Sequence, residues 1–182
     1  MRPLPLALSL CFFAALSHAG DHAHQHGHSH GSSLPAHQHG SAELDAALDG
    51  HTLEFELRSP AMNLLGFEHR ARSERDQQVL ATARQRLEQA DSLITLPAQA
   101  GCKLDAVTLN SPLFEQTPTD SEHSDIQARY RYVCAQPEAL GGFSLHGLFD
   151  AFPGIEALRV QLLGPHGQKG GQTSAKQPQL TF

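Results

Sequence analysis

No stretch of this 182-residue sequence is long and apolar enough to cross a bilayer. The longest mostly apolar run, Leu4 to Leu16, has 13 residues, whereas a spanning helix takes about 20. Positive charge is also scarce, with 13 Lys and Arg against 19 Asp and Glu and a net charge of −6. The one tight basic group, Arg70, Arg72 and Arg75, is too small for a phosphate-backbone surface, which excludes nucleic acid as a partner. Met occurs only as Met1 and Met62, which argues against a copper(I) carrier built on thioether ligands. Enzymatic signatures are missing too. There is no H-E-x-x-H, and Gly142-Phe143-Ser144-Leu145-His146 departs from the G-x-S-x-G elbow at its last position. The expectation is a protein that is not an enzyme. The one catalytic alternative is metal-assisted hydrolysis by Glu68, His69 and His123, because such a site needs only three ligands and an open position.

Cysteine is sparse and informative. Met1-Arg2, the 13-residue apolar core and Ser17-His18-Ala19 have the three parts of a secretory signal peptide, so residues 1–19 are expected to be cleaved after Ala19, leaving an exported form without membrane insertion. Cys11 lies inside that core, and Leu10 before it is too large for a lipobox. Cys102 and Cys134 then remain in a compartment that oxidises thiols, and an even pair reads as one disulfide. Closing a loop of that length contributes about 3–4 kcal/mol in the chain-entropy model. The alternative, a pair of thiolate metal ligands, normally needs a spacing of about two to four residues.

What the chain has in excess is histidine: 13 in all, eight of them between His18 and His39. Residues 20–41 are mainly Gly, Ser, His, Gln and Ala, with Leu34 the only large apolar side chain, a composition that cannot offset its own ordering entropy. A disordered His-rich tail is predicted there. His22, His24, His26, His28 and His30 are spaced by two, as are His37 and His39. In extended chain such neighbours project to one side at about 6.5–7 Å, and a coil can fold two or three imidazoles onto one ion at about 2.0–2.1 Å. Imidazole suits zinc, copper and nickel alike. Cleavage after Ala19 would also expose Gly20-Asp21-His22, whose amine, backbone amides and imidazole can enclose copper(II) or nickel(II) in a square plane. Beyond the tail, Glu68-His69 follows an apolar segment, and Asp120, Glu122, His123 and Asp125 crowd one polar loop. That loop reads equally as a set of mixed N/O ligands for zinc or as a solvated acidic turn.

Residues 42–182 are long enough for one domain. Leu44, Ala46 and Leu48, then Leu53, Phe55 and Leu57, alternate around Asp49-Gly50, the pattern of a hairpin on a type I′ turn. Ser73 with Asp76 three residues on opens a helical repeat of Val79, Leu80, Ala83, Leu87 and Ala90 that reaches about Asp91. Further strands are predicted near Lys103–Asn110, Ile126–Cys134, Glu156–Leu163 and Gln179–Phe182, with Gly164-Pro165-His166-Gly167 as the turn between the last two. The expected class is α+β, a mainly antiparallel sheet with one long helix and short helical segments. An echo of Phe55–Pro60 in Tyr132–Pro137, with Pro97 and Pro153 following, is the pattern of two half-repeats.

These residues resemble the periplasmic zinc-regulated zinc-uptake proteins of the ZrgA type. The likeness covers nearly the whole chain after the signal: the His-rich start, Ala42-Glu43-Leu44 through Asp49-Gly50, and Ser59 through His69 (SPAMNLLGFEH). It continues through Leu96-Pro97-Ala98, Gly101-Cys102, Tyr130-Arg131-Tyr132 with Cys134, Phe149 through Pro153, and Gly164 through Gln168. One departure is that the long His/Asp/Glu-rich insertion common in the family before the Tyr-Arg-Tyr strand is reduced here to Thr119–Asp125, with His123 in the corresponding region. The resemblance implies zinc capture in the Gram-negative periplasm, without catalysis, in support of a zinc ABC importer or its binding protein. It favours zinc over the alternative of a copper or nickel buffer.

Overall fold

The computed structural model describes residues 38–115 and 123–182. Its elements are β1 (Ser41–Asp49), β2 (Thr52–Pro60), α1 (Ala61–Leu65), α2 (Glu74–Glu88), α3 (Ala90–Leu93), β3 (Cys102–Asn110), β4 (Asp125–Cys134), β5 (Gly142–Ser144), α4 (His146–Ala151), β6 (Ala157–Gly164), β7 (Gly167–Thr173) and β8 (Gln179–Thr181). Six strands form one sheet in the order β3-β4-β2-β1-β6-β7, and β5 pairs with β8. Neighbours in the large sheet are antiparallel except β1 and β6, which run parallel. The class is α+β with a mostly antiparallel sheet and few helices.

Side-chain alternation explains the layering. Along β1, Ala42, Leu44, Ala46 and Leu48 are buried, and Ile126, Ala128, Tyr130, Tyr132 and Cys134 alternate likewise on β4. Period-two burial places one face of the sheet in the core, where it joins Leu64 and Leu65 of α1, Ala83 and Leu87 of α2, and Leu148 and Phe149 of α4 in a single apolar cluster. The opposite face carries Glu43, Asp45, Glu56, Arg58, Arg129 and Arg159 in a network of ion pairs.

Several expectations need adjustment. The β1–β2 loop is Gly50-His51, since Asp49 pairs with Thr52, and only Gly50 has a positive φ, of 55°. A type I′ turn needs positive φ at both central residues, so this is the φ signature of type II′. His51 is then free to fold back, its Nδ1 lying 2.8 Å from the Cys134 carbonyl. The Ser73 hydroxyl does accept from the Asp76 N–H, at 3.1 Å, but α2 stops at Glu88, and Ala90 and Leu93 fill the core from the separate turn α3. Pro165-His166 joins β6 to β7, a strand of sequence GQKGGQT that has no apolar alternation to announce it. It is an edge strand, formed by the backbone ladder and exposed along most of its length. The echoing segments begin on the neighbouring strands β2 and β4 but leave the sheet differently: Pro60 ends β2 and leads straight into α1, whereas Pro137 lies beyond the end of β4 and opens a 3₁₀ turn. Cys102 and Cys134 are cross-strand partners joined by a disulfide.

Candidate metal site

The site is organised by α1, a helix of only five residues that follows β2 without a loop. Its first backbone N–H, on Ala61, donates to the Ser124 carbonyl at 2.8 Å and so fixes the segment that carries His123. On its inner side Asn63, 5 % exposed, accepts from the Gly40 N–H at 2.7 Å and donates through Nδ2 to the Ser41 carbonyl at 2.9 Å. The segment that carries His39 is thereby tied to the same helix. After its last turn Gly66 reverses the chain with φ 80°, and Phe67 and Glu68 follow.

Three stretches far apart in sequence meet at Glu68. The carboxylate is 6 % exposed, and its Oε2 accepts a hydrogen bond from His123 Nδ1 at 2.7 Å. Its Oε1 faces His39 Nε2 at 3.4 Å, too long for a good hydrogen bond, and has no hydrogen-bond partner among the described residues. A buried carboxylate oxygen left unpaired is costly and rare. The two imidazoles above it are half exposed, at 53 % and 61 %. The cluster is therefore an anionic floor under two neutral or cationic nitrogens, open to solvent on its outer side.

The donor types suit zinc, and one of the two spacings matches it. Two ligands at about 2.0–2.1 Å from a tetrahedral ion stand about 3.3–3.4 Å apart, which is the separation of His39 Nε2 and Glu68 Oε1. The His123 contact, at hydrogen-bond length, has to open by about 0.6 Å and exchange its proton for the ion. As it stands, no group of three or more His, Cys, Asp or Glu side chains among the described residues is arranged around one point. Glu68 offers a different oxygen to each histidine.

Of the other residues singled out in the sequence, His69 does not join Glu68. It is exposed, its ring stacks on Phe67 with centroids 4.9 Å apart, and its Nδ1 lies 3.0 Å from the Arg70 carbonyl. Asp125 opens β4 across from Pro60 and is not among the described side chains paired with Glu68. His22, His24, His26, His28, His30, His37, Asp120 and Glu122 lie outside the described residues, as do the signal segment and Gly20-Asp21-His22. Asn63 escaped sequence reading altogether. The signal that could have found it is a lone amide inside the apolar run Ala61-Met62-Asn63-Leu64-Leu65, where a buried polar group must have hydrogen-bonding work.

A family model described as ZrgA family zinc uptake protein matches residues 36–182, which include His39, Asn63, Glu68 and His123. The chain belongs to the ZrgA family. No curated protein matches it. For a ZrgA-family chain the process at stake is zinc uptake, and Glu68 with its two histidines is a described cluster whose donor types suit that ion.

Proposed function

We propose that this ZrgA-family chain is exported to the periplasm and captures zinc there for uptake, acting as a binder without catalysis that supplies an importer or the importer's binding protein. The His-rich segment from His22 to His37 collects ions, and the domain holds one at His39, Glu68 and His123. The observation that carries the reading is the orphaned Oε1 of a buried Glu68, placed at ligand spacing from an imidazole that belongs to a different segment. A folded site has its ordering cost already met, so the domain ion is held more tightly than those collected between His22 and His37. Half-exposed histidines leave the outer coordination positions open, as release to an acceptor demands.

Zinc titration of the exported chain tests this. Replacing His22, His24, His26, His28, His30 and His37 by Ala should remove most of the bound ions and leave one. Adding Glu68→Ala, or the isosteric Glu68→Gln, should weaken that remaining ion by about tenfold or more. Unchanged stoichiometry after the first change overturns the collecting role of the segment, and unchanged affinity after the second overturns the domain site.

A further inference from the structure

We infer that Asn63 is a positioning residue for this zinc site, setting His39 opposite Glu68; the inference rests on reading that cluster as the zinc site. Asn63 is the described side chain that hydrogen-bonds the segment of one ligand while standing on the element that leads to another. Its Oδ1 accepts from Gly40 N–H and its Nδ2 donates to the Ser41 carbonyl, one backbone group on each of the two residues that follow His39. Five residues on, past the Gly66 reversal, is Glu68. One buried amide thus fixes the relative place of an imidazole and a carboxylate that are 29 residues apart in sequence.

The clamp is closed from its other side. The Gly40 carbonyl accepts from the N–H groups of Glu156 and Ala157 at 2.8 and 2.9 Å, and Gly40 itself has φ 82°, a left-handed turn that side chains other than glycine rarely adopt. A Cβ on Gly40 would lie 3.1 Å from the Glu156 carboxyl. Asn63 has no slack either, because Gly154 rests on its backbone so closely that a Cβ there would come within 2.4 Å of the Asn63 carbonyl oxygen. His39 is therefore one residue from an anchored turn. With its place fixed in advance, the half-exposed imidazole spends less entropy on reaching the ion. Asn63 makes a third bond, from Nδ2 to Ser59 Oγ at 3.1 Å, which touches neither ligand segment and supplies an internal control.

The experiment uses the full exported chain carrying the six His→Ala replacements from His22 to His37, with zinc affinity read by chelator competition, cobalt(II) absorption in the visible range, and the metal-free thermal midpoint. Asn63→Ala should weaken zinc by about tenfold or more and alter the cobalt spectrum, as loss of an outer-shell support does. Ser59→Ala should lower the midpoint while leaving affinity within about twofold, because the bonds to Gly40 and Ser41 survive. In a His39→Ala background, Asn63→Ala should cost no further affinity, since a residue acting through His39 has nothing left to position. If Asn63→Ala does not fold, Gly40→Ala displaces the same turn and must show the same loss and the same non-additivity. An affinity equal to the parent's, or a loss that adds in full to that of His39→Ala, overturns the inference. Glu68→Ala runs alongside: if it too leaves binding intact, the zinc-site reading itself has failed, whereas an effect of Glu68→Ala without one of Asn63→Ala defeats the positioning role alone.

Discussion

Glu68 shows what a single buried charge demands of its surroundings. Its carboxylate is satisfied on one oxygen by His123 and left open on the other toward His39, whereas His69, the neighbour in sequence, stacks on Phe67 and stands apart. In the chain lacking the histidines from His22 to His37, His39→Ala and His123→Ala are each expected to lower zinc affinity by about tenfold or more, and His69→Ala to leave it unchanged. Isothermal titration of the three variants decides the ligand set. Equal losses for His69 and His123 would return the site to the adjacent Glu68-His69 pair.

At the scale of elements, the open face of the sheet is an electrostatic structure in its own right. Arg58 on β2 reaches Glu56 at 2.6 Å and Asp45 on β1 at 2.7 Å, while Arg129 and Gln127 on β4 reach Glu56 at 2.9 and 2.6 Å. Burial acts to raise the Glu56 carboxyl, but the hydrogen bonds from Arg58, Arg129 and Gln127 outweigh it and hold the group below its ordinary value. A carboxyl with a depressed folded pKa adds stability above its unfolded pKa and loses it as pH falls through the folded one. Glu56→Gln should therefore flatten the acid limb of stability, losing less thermal midpoint than the parent between about pH 5 and about pH 3. Scanning calorimetry across that range reads the difference, and parallel acid limbs would show that Glu56 does not contribute.

For the whole molecule, the disulfide and the candidate site sit at opposite ends of β4. Asp125 begins the strand next to Ser124 and His123, and Cys134 ends it, bonded to Cys102 of β3. Ten residues of extended chain separate the two by about 30 Å. The cross-link constrains the unfolded chain and has no direct route to Glu68. Replacing both cysteines by Ser should lower unfolding free energy by about 3 kcal/mol, seen in urea titration, and leave zinc affinity within about twofold. A parallel loss of affinity would mean that the far end of β4 does bear on the site.

The sequence by itself determined the elements whose side chains carry a period. β1, β2, β4 and β6 alternate because one sheet face is buried, and α2 begins just after Ser73 because that hydroxyl accepts the Asp76 N–H of the first turn. It also determined the disulfide pair and, through the motifs from Ser59 to His69 and around Tyr130, the family. It could not show β7, since an exposed edge strand of Gly, Gln and Lys is held by main-chain bonds that every residue type can make. Nor could it show which donors meet. His39 read as the end of a polar tail and His123 as part of an acidic loop, and both are local descriptions. Only tertiary structure brings them to Glu68, because the ladder that sets β4 beside β2 and the Asn63 bonds that fix the start of β1 against α1 are contacts between distant segments. Sequence spacing carries no record of them.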